Sequence, residues 1–514
     1  MFARVFSAAV HGIDAYVVQV ETDLDFKLPS FKIVGLAEGA VVESRERVSS
    51  AIKNAGHFFP QKRVTINLAP ADKRKEGSAF DLPSAVGILA ADGVIPSDRF
   101  ERYVIVGELS LDGMVRPVPG VLPIALMVRE SGFAGILVPR ENAGEAALVR
   151  GIAVIPVATL AETLEFLSGK RQIEPYERES LPGGAPEHAE DVDFSDVRGQ
   201  TQVKRALEVA AAGGHNVLMI GPPGSGKTMM ARRLPTILPG MTFEEALETT
   251  KIHSVAGILK NGSYLVADRP FRAPHHTTTE IALIGGGSSP CPGEVSLSHN
   301  GVLFIDELPE LGKKTIEVLR QPMEDGVVTI SRAMYTVTYP ASFMLIAAMN
   351  PCPCGFLTDS SHPCTCTPTA IQRYFARISG PILDRIDIHV EVPPVRYRDL
   401  SAPAGSGEQS ADILARVNQA RSLQRERYRE NKGVYSNARL GSRALRRFCM
   451  PDSDGERILR RAIDTFGFSA RAYHRILKVS RTIADLEGAE SILAKHVAEA
   501  IQYRTLDRNL WRNG

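Results

Sequence analysis

The sequence has no apolar run of about 18 residues, the length a membrane-crossing helix needs, so no membrane span is expected. Cysteine is scarce, at six in 514 residues, which excludes a disulfide-stapled secreted scaffold. Neither sign of charge dominates: Lys and Arg total 60, Asp and Glu total 59, and the formal net charge is +1. A uniformly basic nucleic-acid binder is thereby excluded, and any grip on DNA must come from local patches. The opening stretch, Met1–His11, turns polar too soon for a signal peptide. Internal repeats and long low-complexity tracts are missing as well. What remains is an ordinary globular composition, 44% hydrophobic and 23% charged. The length suits about three domains. The expectation is a cytoplasmic multidomain protein.

Residues 1–170 alternate β-rich runs (Ala15–Val20, Val64–Leu68, Tyr103–Gly107, Gly135–Val138) with helical patterns over 41–55 and 81–91. A polar stretch over 171–191, holding Pro175, Pro182, Gly183, Gly184 and Pro186, reads as a linker. A second α/β block spans 192–396, Ser401–Ser410 is a break, and 411–510 carries Arg, Ala, Leu and Glu at the spacing of an all-α domain.

The most specific motif is Gly221-Pro222-Pro223-Gly224-Ser225-Gly226-Lys227-Thr228, preceded by the strand-like run Asn216–Ile220. It fits GxxxxGK[ST], a loop whose backbone N–H groups converge on phosphate oxygens. Lys227 would neutralise the β/γ charge of ATP, and Thr228 would hold Mg²⁺. Val302–Ile305 reads as a second buried strand ending in Asp306 and Glu307. In P-loop ATPases the first acid supports Mg²⁺ and the second polarises the attacking water. Phe343–Met349 is a third such run, ending in Asn350, which either orients water or only starts a turn. Arg385 stands between Asp384 and Asp387, as a catalytic group or as one half of an intramolecular ion pair.

Further on, Gly467–Arg471 opens a helix with Arg471, Arg475 and Lys478 on one face and Ala472, Ile476, Val479 and Ile483 opposite. The basic face reads either as turned to ATP from the neighbouring domain or as solvated. Cys352, Cys354, Cys364 and Cys366 form two CxC pairs around a short loop containing His362. Four thiolates close a tetrahedral structural Zn²⁺ site, or stay free as cytosolic thiols. Local basic clusters (Lys62 and Arg63; Lys73, Arg74 and Lys75; Arg439, Arg443, Arg446 and Arg447) are DNA contacts or solvated faces.

Together these motifs resemble the AAA+ ATPases. More narrowly, the stretches Arg269–Thr277, Leu283–Gly287, Pro292–Glu307 and Asn350–Gly355 resemble the ComM/YifB family of magnesium-chelatase-like AAA+ proteins. The resemblance covers essentially the whole chain. It implies ATP and Mg²⁺ as cofactors, sensor 1 at Asn350, a trans-acting arginine finger at Arg385 and sensor 2 at Arg471. It further implies a homo-hexameric ring that acts on DNA and promotes branch migration during homologous recombination in natural transformation, with recombination proteins as further partners. A protein-remodelling or metal-chelatase-type motor is the alternative. An insertion over 254–299 and a hairpin over 327–341 are expected, with Arg332 of the hairpin as a candidate DNA contact.

The front domain resembles the Lon protease fold through Asp81–Ala85 and Gly107–Gly113. Its catalytic lysine position falls on Ile124, and no lysine occurs from Glu76 to Gly169. A serine without its base does not attack, so Ser84 is expected to start a helix and the domain to be non-proteolytic. The expected fold is therefore α/β: a P-loop AAA+ core with an all-α lid behind a Lon-protease-like α/β domain.

Overall fold

The structure is a computed structural model that describes residues 1–41, 43–177, 192–259, 264–287, 290–332, 335–359, 362–394, 407–430 and 434–504. Most of the expected linker over 171–191 lies outside the described residues. None of the described helices is long and apolar enough to cross a membrane.

The first part of the chain builds a seven-stranded mixed sheet. Its order is Ser30–Val34, Arg63–Ala69, Asp14–Asp25, Phe2–His11, Tyr103–Ile105, Gly135–Pro139 and Ala153–Val157. Phe2–His11 and Asp14–Asp25 pair as an antiparallel hairpin, while the strands from Phe2–His11 to Ala153–Val157 run parallel. Arg63–Ala69 shows why such runs are strands: Val64, Ile66 and Leu68 alternate into the core with period two. Helix Asp81–Ala91 covers one face and is buried almost throughout; helix Val121–Glu130 covers the other. Ser84 is buried inside the first helix and does not cap it, which corrects its expected helix-start role. Ile124 is a buried core residue of the second helix.

The second sheet is wholly parallel, in the order Phe271–Arg272, Val302–Ile305, Met344–Met349, Val217–Ile220, Ile388–Glu391. The three runs that read as continuous apolar segments are its central strands, buried on both faces, as parallel sheets require. Parallel alignment gathers their C-terminal ends at one edge. That edge holds the Gly221–Thr228 loop, Asp306 and Asn350. Arg385 and Asp387 precede Ile388 and therefore sit at the opposite edge. The stretch expected as an insertion over 254–299 is in part core, because Phe271–Arg272 is the edge strand of this sheet. A two-residue strand carries too little periodicity to be seen in sequence.

Helices Ser410–Arg427, Ser442–Phe448, Ser453–Phe466, Ala470–Leu486 and Ala494–Gln502 complete the molecule. Ser469 Oγ accepts the Ala472 N–H at 3.2 Å and caps the fourth of them. On its apolar side Ile476, Val479 and Ile483 are buried in the same core cluster as Val217 and Ile346, and Ala472 is buried as well. Elements flanking the two sheets also meet. Ala246 and Leu265 are buried with Leu122 and Val128. The Gly120 N–H donates to Ser254 O at 3.1 Å, and Lys251 pairs with Asp14 at 3.0 Å.

Candidate nucleotide site

The phosphate loop joins strand Val217–Ile220 to helix Lys227–Arg233. Gly221 is required by space: a Cβ there would lie 2.2 Å from Val392 O. Lys227 Nζ donates to Gly221 O at 2.7 Å and Pro222 O at 2.9 Å, and stands 3.3 Å from Asn350 Oδ1. Burial pulls the Lys227 ammonium below its ordinary pKa, while Asp306 and Glu307 oppose that shift. A buried cation resting on neutral carbonyls gains strongly from an anionic oxygen brought into the same loop.

Thr228 Oγ1 donates to Asp306 Oδ2 at 2.7 Å. Two oxygen ligands, one of them a carboxylate, match the donor set Mg²⁺ takes beside phosphates. Glu307 follows in a left-handed conformation, φ +51°, which turns its half-exposed side chain out of the strand. His276 Nδ1 is 3.6 Å from Glu307 Oε2, and the His275 and His276 rings lie 4.0 Å apart. No local pattern signals that His276 reaches Glu307, because the approach depends on the sheet-edge placement of Phe271–Arg272. Val197, Gly199, Lys204 and Ile413 line a cavity of about 500 Å³.

The structure brings Gly221–Thr228, Asp306, Glu307 and Asn350 to one edge, and keeps Arg385 and Arg471 away from it. Arg385 pairs with Glu324, and Arg471 Nη2 lies 3.9 Å from the same carboxylate. The expectation that the basic face of helix Ala470–Leu486 turns to ATP from the neighbouring domain is overturned for two of its three members. Arg475 pairs with the buried Asp387 at 2.5 Å, and Lys478 donates to Ala438 O at 2.9 Å. Burial favours a neutral Asp387, yet Arg475 and then His215 hold it far below the usual carboxylate range. Burial brings the Lys478 ammonium down to about 8.

Several residues of the basic clusters are engaged internally. Lys62 pairs with Asp92, Lys75 is buried against main-chain carbonyls, and Arg439 donates to Phe343 O. The hairpin Val327–Arg332 with Tyr335–Pro340 is present, and the Arg332 side chain lies outside the described residues.

The loop after Asn350 folds the four cysteines together, with Sγ atoms all within 4.8 Å of one another. Cys352 Sγ lies 3.3 Å from Cys354 Sγ and 3.7 Å from Cys364 Sγ, and Cys354 Sγ lies 3.6 Å from Cys364 Sγ. Tetrahedral zinc thiolates stand about 3.8 Å apart, from Zn–S bonds of about 2.3 Å, so the set fits that ion. Backbone N–H groups of Phe356 and Thr365 pull the Cys354 thiol down to about 5. His362 pairs with Asp359 and stays outside the cluster. Between the cysteines, Gly355 (φ +87°) packs on the phosphate loop: a Cβ there would meet Pro223 Cδ at 2.5 Å.

Three family models match: "Magnesium chelatase, subunit ChlI" over 193–400, "Subunit ChlI of Mg-chelatase" over 20–142, and "Magnesium chelatase, subunit ChlI C-terminal" over 407–504. The chain is 44% identical over 512 residues to the competence protein ComM of Haemophilus influenzae, covering 99% of this chain and 98% of that protein. It is 43% identical over 506 residues to YifB of Escherichia coli, covering 98% and 97%. A magnesium-chelatase 67 kDa subunit of Chlorobaculum tepidum is 28% identical over 166 residues, covering 31% and 23%. Similarity of this extent, on a chain that carries the phosphate loop and its acids, settles the family: the protein belongs to the ComM/YifB family of magnesium-chelatase-like AAA+ ATPases.

Proposed function

We propose that this chain is the subunit of a hexameric, ATP-driven ring motor on DNA that promotes branch migration of recombination intermediates in natural transformation. The observation that carries the reading is near-full-length similarity to a relative named competence protein ComM, joined to the phosphate-loop geometry. Residues 192–396 form the ATPase core and 411–510 its helical lid. ATP with Mg²⁺ supplies the phosphoanhydride and the charge-neutralising ion. Lys227 and the loop N–H groups bind the phosphates, Thr228 and Asp306 hold the ion, and Asn350 fixes the water or γ-phosphate. Glu307 accepts the proton of the attacking water. Arg385 and Arg471 complete the site of a neighbouring copy, which their distance from their own phosphate loop supports.

The hairpin over 327–340 faces the ring pore, where Arg332 grips phosphate without regard to sequence. Zinc on Cys352, Cys354, Cys364 and Cys366 staples the loop behind Asn350. Residues 1–170 form a Lon-protease-like domain without peptidase activity, a reading supported by the buried Ser84 and by the apolar Ile124 at the lysine position. ATP turnover measured with four-way junctions and with unfolded protein tests the substrate class. Stimulation by junctions supports the motor on DNA. Stimulation by protein alone replaces it with a remodelling motor.

A further inference from the structure

Glu324 is the penultimate residue of the short helix Arg320–Asp325, and Gly326 (φ +69°) then turns the chain into the hairpin strand Val327–Arg332. Its carboxylate faces two guanidinium groups from distant parts of the chain. Oε2 accepts from Arg385 Nη2, and Oε1 lies 3.9 Å from Arg471 Nη2. Arg385 is only 10% exposed, and its Nη1 donates to Pro381 O at 2.8 Å. Arg385 Nε is buried and makes no hydrogen bond among the described residues. Arg471 and Glu324 are about half exposed.

Among the described residues Arg475 pairs with Asp387, while Arg385 and Arg471 both pair with the carboxylate of Glu324, two cations to one anion. The residual positive charge lies beside an exposed guanidinium, at the sheet edge opposite the chain's own phosphate loop. A phosphate group presented by another molecule satisfies it. Two guanidinium groups without a counter-ion between them repel, and Arg471, on a half-exposed side chain, would swing away from Arg385. We propose that Glu324 is a positioning residue that holds Arg385 and Arg471 together as one pair for the nucleotide phosphate of a second copy of this chain. The proposal rests on the reading of Arg385 as acting across the ring. It adds the group that sets the arginine geometry, and it ties that geometry to the base of the hairpin three residues further on.

The test is complementation between full-length variants, with subunit exchange shown by labelled chains. Glu324→Gln keeps size and removes charge, and is expected to lower ATP turnover about tenfold with ATP KM changed less than about twofold. Mixed equally with Lys227→Ala, which has a defective loop and an intact arginine face, it should recover to about a quarter of wild-type turnover, the share of interfaces that combine both good halves. Mixed with Arg385→Ala, it should recover nothing, since both lack the same face. Wild-type turnover by Glu324→Gln overturns the proposal. Failure of Lys227→Ala to rescue Glu324→Gln, when it does rescue Arg385→Ala, overturns it also and assigns Glu324 a purely structural role. Failure of Lys227→Ala to rescue Arg385→Ala overturns the trans reading itself.

Discussion

Lys227 Nζ and Asn350 Oδ1 lie 3.3 Å apart across 123 positions of sequence. The contact joins the phosphate loop to the end of the neighbouring strand, so binding and hydrolysis draw on different partners of one group. Lys227→Ala should lose tight ATP binding. Asn350→Ala and Glu307→Gln should keep it and lose turnover by about 100-fold or more. Fluorescent-nucleotide titration and phosphate release separate the two effects. Normal turnover by Lys227→Ala and Glu307→Gln contradicts the site.

Gly355 presses on Pro223. Gly355→Val adds atoms where 2.5 Å is available and adopts φ +87°, which a β-branched residue avoids. The phosphate loop has to shift, and ATP affinity should fall by about tenfold, or about 1.4 kcal/mol. Unchanged affinity in a folded variant would show that the cysteine loop does not support the phosphate loop.

Zinc is expected at about one ion per chain in protein purified without chelator. Cys352→Ser should release it, lower the melting temperature and weaken ATP binding through Gly355. Metal-free protein with full ATPase activity would leave the four cysteines as free thiols.

The buried pair of Asp387 and Arg475 gives a pH signature. Its folded carboxyl pKa lies below the unfolded value, so its stabilisation is present above about pH 4 and is lost as pH falls further. Asp387→Asn should cost roughly 3 kcal/mol at neutral pH by leaving Arg475 uncompensated, and the gap to wild type should narrow in acid. Denaturant unfolding at several pH values measures both. A gap that does not change with pH removes the ion pair as its cause.

The parts legible in sequence were those with local chemistry. The phosphate loop, the apolar strands ending at Asp306 and Asn350, the hairpin, and the apolar side of helix Ala470–Leu486 each carry their own pattern. Strand Phe271–Arg272 was hidden because two residues give no period, and with it the approach of His276 to Glu307. The partners of Arg475 and Lys478 were hidden because charge pattern reports a basic face and not what packs on it. Asp387 and Ala438 reach that face only through the tertiary fold. Glu324 escaped notice for the same reason, since 61 positions separate it from Arg385.

The most direct measurement is junction migration by the assembled wild-type ring with ATP, read on labelled three- and four-way DNA junctions at low salt. Wild-type protein should convert junctions to products, while Lys227→Ala and Glu307→Gln should not. Arg332→Ala should weaken binding to all sequences alike, with a salt slope smaller by about one. Junctions that neither bind the wild-type ring nor stimulate its ATP turnover would contradict a motor on DNA and leave a motor with a different substrate.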